Sequence, residues 1–111
     1  MSKYSYMRII VMFDLPNNNP EENKDYLRFR KLLIKNGYTM MQFSIYIKCL
    51  NVKTKFKSEV NKISKFIPPQ GNIRVLAITE KQYHDIIYLN GESNINEKVN
   101  GVQRYIALKD E

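Results

Sequence analysis

Residues 4–13, YSYMRIIVMF, are apolar on both of their alternating sets. Tyr4, Tyr6, Ile10 and Met12 fall on one side with Arg8, and Met7, Ile9, Val11 and Phe13 fall on the other. A strand with one wet face alternates apolar with polar; one covered on both faces does not, so this pattern predicts a central strand. The run stops at a lone carboxylate, Asp14, before Leu15, Pro16 and three asparagines. Period 3.6 takes over in NPEENKDYLRFRKLLIKNG, residues 19–37. Asn19 caps this helix, Pro20 opens it, Glu21 and Glu22 suit the positive end of its dipole, and Gly37 stops it. Tyr26, Phe29 and Leu33 share its inner face. On the outer side Lys24, Arg28, Lys31 and Lys35 fall within a sector of about 60° at about 100° per residue.

YTMMQFSIYIKCL, residues 38–50, reads as two strand segments with a break or bulge around Gln42 to Ser44. A second amphipathic helix follows over 51–67. Val52, Phe56, Val60, Ile63 and Ile67 face its core side, and Lys53, Lys57, Lys62 and Lys65 face outward. The run PPQG ends it. NIRVLAIT is another strand with two covered sides, and TEKQYHDI is a short helical turn with Thr79 and Gln82 as its capping box. Within that turn Glu80 and Asp85 look like exposed helix residues, and His84 like a surface residue rather than a general base. A polar loop over 90–101 and a last strand, VQRYIAL, complete the chain. The resulting division is a domain over 1–92 and a C-terminal loop and strand over 93–111, expected to pack at a dimer or partner interface.

The order β-α-β-β-α-β describes an α+β, ferredoxin-like (split βαβ) sheet with an extra C-terminal strand. Both helices of that architecture lie on one sheet face. The other face is left bare although its residues are apolar, so a second copy of the chain is expected to cover it in a two-fold homodimer, sheet face to sheet face.

Charge adds a partner to this picture. The chain carries 18 Lys and Arg against 11 Asp and Glu, a net charge of +7. Residues 24–65 hold 11 of those basic residues and only two acids, Asp25 and Glu59. Basic charge gathered in one region points to a polyanion. A single cysteine, Cys49, leaves no intrachain disulfide and suits a reducing cytoplasm, and no apolar run is long enough to cross a membrane. With Cys49 and a lone His84 the sole soft ligands, any metal here is a hard cation held by oxygen, magnesium (Mg2+) or manganese.

Asp14 is the candidate ligand, and two readings stand side by side. An Asp ahead of a Pro-containing turn commonly makes an Asx turn. At the carboxyl end of a central strand it also stands where a metal ion could be held, although one carboxylate is a poor magnesium site and the residues by themselves favour the turn. A two-fold axis near the strand ends would let two Asp14 side chains share one ion. The 8 Tyr and 5 Phe mostly sit at core spacing, with Tyr46 and Tyr88 left as candidates for base stacking. Arg30, among apolar neighbours, either snorkels or pairs with a carboxylate. No RNA-binding signature of the K/R-G-F/Y-G/A-F type is present.

Several stretches occur together and in one order: YMRIIVMFDLP before a basic helix, GYTMMQFSIYIK, GNIRVLAITEKQY and IYLNGE. Over residues 4 to 92 the chain resembles the small subunit of the CRISPR spacer-acquisition complex, the CRISPR-associated endoribonuclease family, in its type II-A branch. The resemblance implies a ferredoxin-like homodimer that bridges dimers of the integrase subunit in a heterohexamer-type or heterotetramer assembly, with duplex DNA across it. It also implies a magnesium-dependent endonuclease acting on RNA or DNA, with Asp14 as the catalytic metal ligand. Phe43 and Ser44 match the family's short motif on the next strands, where they set geometry. Lys24, Arg28, Lys31, Lys35, Lys53 and Lys57 are the residues expected to hold the nucleic acid backbone.

Overall fold

The first strand, β1 (Met7–Asp14), lies inside the sheet in the computed structural model, which describes residues 6–51 and 55–93. Six further elements follow: α1 (Pro20–Lys35), β2 (Thr39–Gln42), β3 (Ile45–Leu50), α2 (Lys55–Ser64), β4 (Asn72–Thr79) and α3 (Glu80–His84). The sheet order is β2-β3-β1-β4 with every neighbouring pair antiparallel, the split βαβ arrangement. The expected α+β fold is therefore the one adopted. Residues 52–54 and 94–111, which include Val52, Lys53 and the expected last strand, lie outside the described residues. Among the described residues no helix is long and apolar enough to cross a membrane.

Ile9, Val11 and Phe13 point to the helix layer and meet Phe29 and Leu33 of α1 and Ile63 of α2. Phe13 anchors the layer with its ring edge on Phe29 at 5.1 Å and its face on Tyr46 at 5.7 Å between centroids. Burial of each such side chain contributes about 1.5–3 kcal/mol. Both ends of α1 form as the sequence dictates. The Asn19 side chain accepts from the Glu22 amide at 2.8 Å. At the other end Gly37 takes φ +93°, and the amides of Gly37 and Tyr38 donate back to Ile34 and Leu33, a Schellman closure.

Helix α2 ends three residues earlier than its apolar spacing suggests. Pro68 disfavours helical backbone at Ile67, and the chain tightens through the bonds Lys65 to Lys62 and Phe66 to Ile63. Phe66 thereby turns onto Phe29, at 5.8 Å, and Ile67 is left 53% exposed rather than in the core. The lone acid of this helix, Glu59, is buried. It accepts from Lys48 at 2.9 Å, from the Tyr38 hydroxyl at 3.0 Å and from Lys62 at 3.4 Å. Burial by itself would raise the Glu59 pKa, but the hydrogen bonds from Lys48 and Tyr38 and the lysine charges bring it below the ordinary carboxylate value.

The second sheet face is not bare along its whole length. Helix α3, capped by Thr79 and Gln82 as expected, folds over one end of it and buries Tyr83 beside Ile10 and Ile47. Glu80, expected on the surface, is buried instead. Arg8 explains why: its guanidinium donates from two nitrogens to the two Glu80 oxygens, at 2.9 and 2.8 Å, and sits 3.6 Å over the Tyr83 ring. His84 Nε2 lies 3.1 Å from the same carboxylate. A guanidinium that is 2% exposed requires such a counter-charge. Towards the other end of β1 the face stays open, with Met12 and Ile45 half-buried and Leu76 exposed.

Gly71 fixes where β4 begins. Its φ is +105°, and a Cβ there would lie 2.8 Å from the Asp14 carbonyl oxygen and 2.6 Å from Leu15 Cδ2. No side chain fits, so the start of β4 is pressed against the end of β1.

Glu80→Ala should cost about 3 kcal/mol in urea denaturation because it strands the buried Arg8. The double change Arg8→Met with Glu80→Met should recover most of that loss, whereas independent contributions would add. Gly71→Ala should cost about 2 kcal/mol or more in the same assay, through left-handed backbone and the displaced Asp14 carbonyl together.

Candidate active site

Asp14 is the last residue of β1 and faces Asn72, the first of β4, in the antiparallel register. It shares the parity of Ile10 and Met12, the face turned away from α1 and α2. Two features besides Gly71 hold this strand end. Strand β2 shifts register between Met40 and Gln42, and a two-residue turn, Phe43–Ser44, then leads into β3. Ser44 takes φ +64°, and its carbonyl accepts from the Phe13 amide at 3.0 Å, which ties the hairpin tip to the residue before Asp14.

The Asp14 carboxylate is exposed and makes no hydrogen bond or ion pair among the described residues. An Asx turn would show it accepting from a nearby amide. Asn19 does that work for the segment, as the cap of α1. The local-turn role therefore has no bond behind it, and the carboxylate is free for a ligand.

A groove of about 460 Å³ opens beside it, lined by Met12, Phe13, Asp14, Phe43, Ser44, Ile45, Asn72 and Arg74. Arg74 pairs in register with Met12, one step along the same face from the Asp14–Asn72 pair, and its exposed guanidinium has no partner among the described residues. One carboxylate, one guanidinium, an amide and a hydroxyl thus share a single open site. Carboxylate and amide oxygen suit a hard cation, and a guanidinium suits a phosphate. Among the described residues no group of three or more His, Cys, Asp or Glu side chains could hold a metal. Among the described residues the groove offers a magnesium ion one carboxylate and the Asn72 amide oxygen, which leaves room for substrate phosphate, water or a second chain to complete its shell.

The other expected residues lie elsewhere. Lys24, Arg28, Lys31 and Lys35 are all exposed on α1, unpaired with any acid among the described residues, and none lines the groove. Lys57 is exposed on α2, and Lys53 is outside the described residues. Tyr46, a stacking candidate, is 1% exposed in the core, where its hydroxyl accepts from Arg30 Nε at 2.7 Å. That bond also places Arg30, which among the described residues reaches no carboxylate and is held by the Tyr46 hydroxyl rather than simply snorkelling. Tyr88 is exposed but does not line the groove. Cys49 is half-buried, and burial, reinforced by the Glu80 charge, pushes its thiol up to about 11, away from reactive thiolate. Sequence reading misses Arg74. Its signal is a lone cation in NIRVLAIT, but only the β1–β4 register puts it beside Asp14.

The family model described as CRISPR associated protein Cas2 matches residues 7–86. The CRISPR-associated endoribonuclease Cas2 of Ligilactobacillus salivarius (strain UCC118) is 42% identical over 103 residues, which are 92% of this chain and 100% of that protein. Its namesake in Treponema denticola is 44% identical over 102 residues, 92% of this chain and 100% of that one. The Campylobacter jejuni protein of the same name is 42% identical over 100 residues, 90% of this chain and 70% of its own. A solved structure titled "Crystal structure of cas2" superimposes with a TM-score of 0.55 over 82% of this chain and 93% of that one, at 20% identity, a likeness of fold alone. By the extent of the family match and of these identities, the chain belongs to the CRISPR-associated Cas2 family.

Proposed function

We propose that this chain is a magnesium-dependent endonuclease of nucleic acid whose catalytic centre is the Asp14 groove. The observation that carries the reading is a solvent-facing carboxylate on a locked strand end, one register step from a guanidinium, neither of them partnered among the described residues. Arg74 would bind the non-bridging oxygens of a phosphodiester and offset charge developing on them. Asp14 would hold the cation and orient the attacking water. A magnesium ion, when bound, supplies Lewis-acid polarisation and a more acidic water. With one carboxylate in the groove among the described residues, a homodimer that brings two Asp14 side chains together would add a second. Relatives named endoribonuclease support this reading.

A second role is favoured by a different observation. The exposed cations of α1 lie outside the Asp14 groove and are free of acidic partners among the described residues. Such a stripe holds a duplex backbone without reading its sequence. We propose that the homodimer carries protospacer DNA on this face and bridges integrase dimers during CRISPR adaptation, independently of cleavage.

Asp14→Asn keeps the side-chain shape and removes its charge. It should lower magnesium-dependent cleavage of RNA and of duplex DNA at least about 100-fold, the scale of losing a residue that positions or activates the attacking water. Denaturation midpoint and oligomeric state should be unchanged; cleavage equal to wild type would overturn the first role. Joint reversal of Lys24, Arg28 and Lys31 to Glu should weaken duplex binding. The slope of log affinity against log salt should flatten by about 0.9 for each phosphate no longer neutralised. An unchanged slope would make the stripe mere solubilising surface.

A further inference from the structure

Asparagine followed by glycine occurs at three places in the chain, Asn36–Gly37, Asn90–Gly91 and Asn100–Gly101. Such a pair carries its own electrophile and nucleophile. The glycine amide nitrogen can attack the side-chain carbonyl carbon of the asparagine before it, and no Cβ on the glycine stands in the way. Whether it does so in a folded chain depends on how the backbone holds the two groups. Asn100–Gly101 lies outside the described residues.

The other two pairs are held in opposite ways. Asn36 is the C-cap of α1, half-buried, with ψ at 14°. Its Nδ2 donates to the Leu32 carbonyl at 2.7 Å, and the Gly37 amide donates to the Ile34 carbonyl at 3.0 Å. Both reacting groups are thus engaged in closing the helix, and freeing them means unwinding its last turn. Asn90 and Gly91 are exposed and lie past α3, outside any helix or strand. The Gly91 nitrogen is turned onto its neighbour's side chain, 2.9 Å from Asn90 Oδ1, which brings it up to the Cγ that bears that oxygen. Gly91 takes φ +80°, and a Cβ built on it would meet nothing within 4 Å, so a closing ring has room.

We propose that Asn90 is a site of spontaneous self-modification, an intramolecular deamidation that the fold permits there and blocks at Asn36. The Gly91 nitrogen gives up its proton to solvent and bonds to Asn90 Cγ. The Cγ–Nδ2 bond breaks, and the amide nitrogen takes a proton from water and leaves as ammonia. The product is a five-membered succinimide, which water opens at either carbonyl. Opening at Cγ gives aspartate. Opening at the main-chain carbonyl gives isoaspartate, whose main chain runs through the former side chain and is one carbon longer. The net reaction is amide plus water to carboxylate plus ammonium, with no oxidant and no cofactor. It places a new negative charge near Glu92, and as isoaspartate it lengthens the connection between α3 and everything beyond residue 91.

The full chain is to be incubated folded, and in parallel unfolded in guanidinium chloride, near neutral pH and in mildly alkaline buffer. Trypsin then puts the two pairs into separate peptides. Conversion is read from peptide mass, and isoaspartate from methyl acceptance with S-adenosylmethionine and an isoaspartyl methyltransferase. In the folded chain the Asn90 peptide should convert, faster in alkali because the attacking nitrogen must shed its proton, while the Asn36 peptide stays intact. In guanidinium chloride the two should convert together. Asn90→Gln should abolish conversion in its peptide, since the longer side chain must close a six-membered ring. Gly91→Ala should reduce it to the level of Asn36. Three results would overturn the proposal: Asn90 intact in the folded chain under conditions that convert it when unfolded, equal conversion of Asn36 and Asn90 in the folded chain, or undiminished conversion at residue 90 in Gly91→Ala.

Discussion

A strand that is apolar on both faces has to be covered twice, and the architecture follows from meeting that demand for β1. Ile9, Val11 and Phe13 are satisfied by α1 and α2. The opposite set cannot be satisfied in the same way, because both long helices are already engaged on one side. The chain answers with a five-residue helix, α3, too short to persist alone, held down by a charge buried in the strand itself. Arg8 would be costly in such a place without Glu80. With it, the pair fixes both the position and the angle of α3, and Tyr83 closes the face next to Ile10. The opposite end of that face, at Met12 and Leu76, receives no cover from the described residues, and it is there that Asp14 and Arg74 emerge.

Stability and the proposed function are therefore divided along one strand. At its start the charged residue is paired, stacked and out of reach of solvent. At its end the charged residue is wet and, among the described residues, unpaired, although its backbone is confined by Gly71 and by the Ser44 carbonyl. Groups meant for ligands need a free side chain on a rigid main chain, since a mobile carboxylate loses binding free energy to ordering. The cationic residues of α1 belong to neither end. They lie on the solvent side of the helix layer, so binding of a polyanion there leaves the groove unobstructed.

Much of this is legible locally. The centrality of β1 can be read from ten residues, the caps of α1 and α3 from four each, and the bulged hairpin from a single uneven strand pattern. What escapes reading depends on partners distant in the chain. Glu80 looks like an ordinary first-turn acid until Arg8, 72 positions away, is laid across it. Arg74 means little until register sets it beside Asp14. Ile67 is misplaced for a local reason: the helical period carries through a residue that Pro68 removes from helical backbone.

The central place of β1 also has a cost in time. This strand is synthesised before both of its sheet neighbours, β3 and β4, and before the acid that neutralises Arg8. Until β4 and α3 arrive, a nascent chain carries a doubly apolar strand with an uncompensated cation near its start and both edges unpaired. Arg8 is then a solubilising charge that discourages self-association of that same segment during synthesis, in the way edge charges guard strands against aggregation. One guanidinium thus serves the unfinished chain as a gatekeeper and the finished one as an anchor.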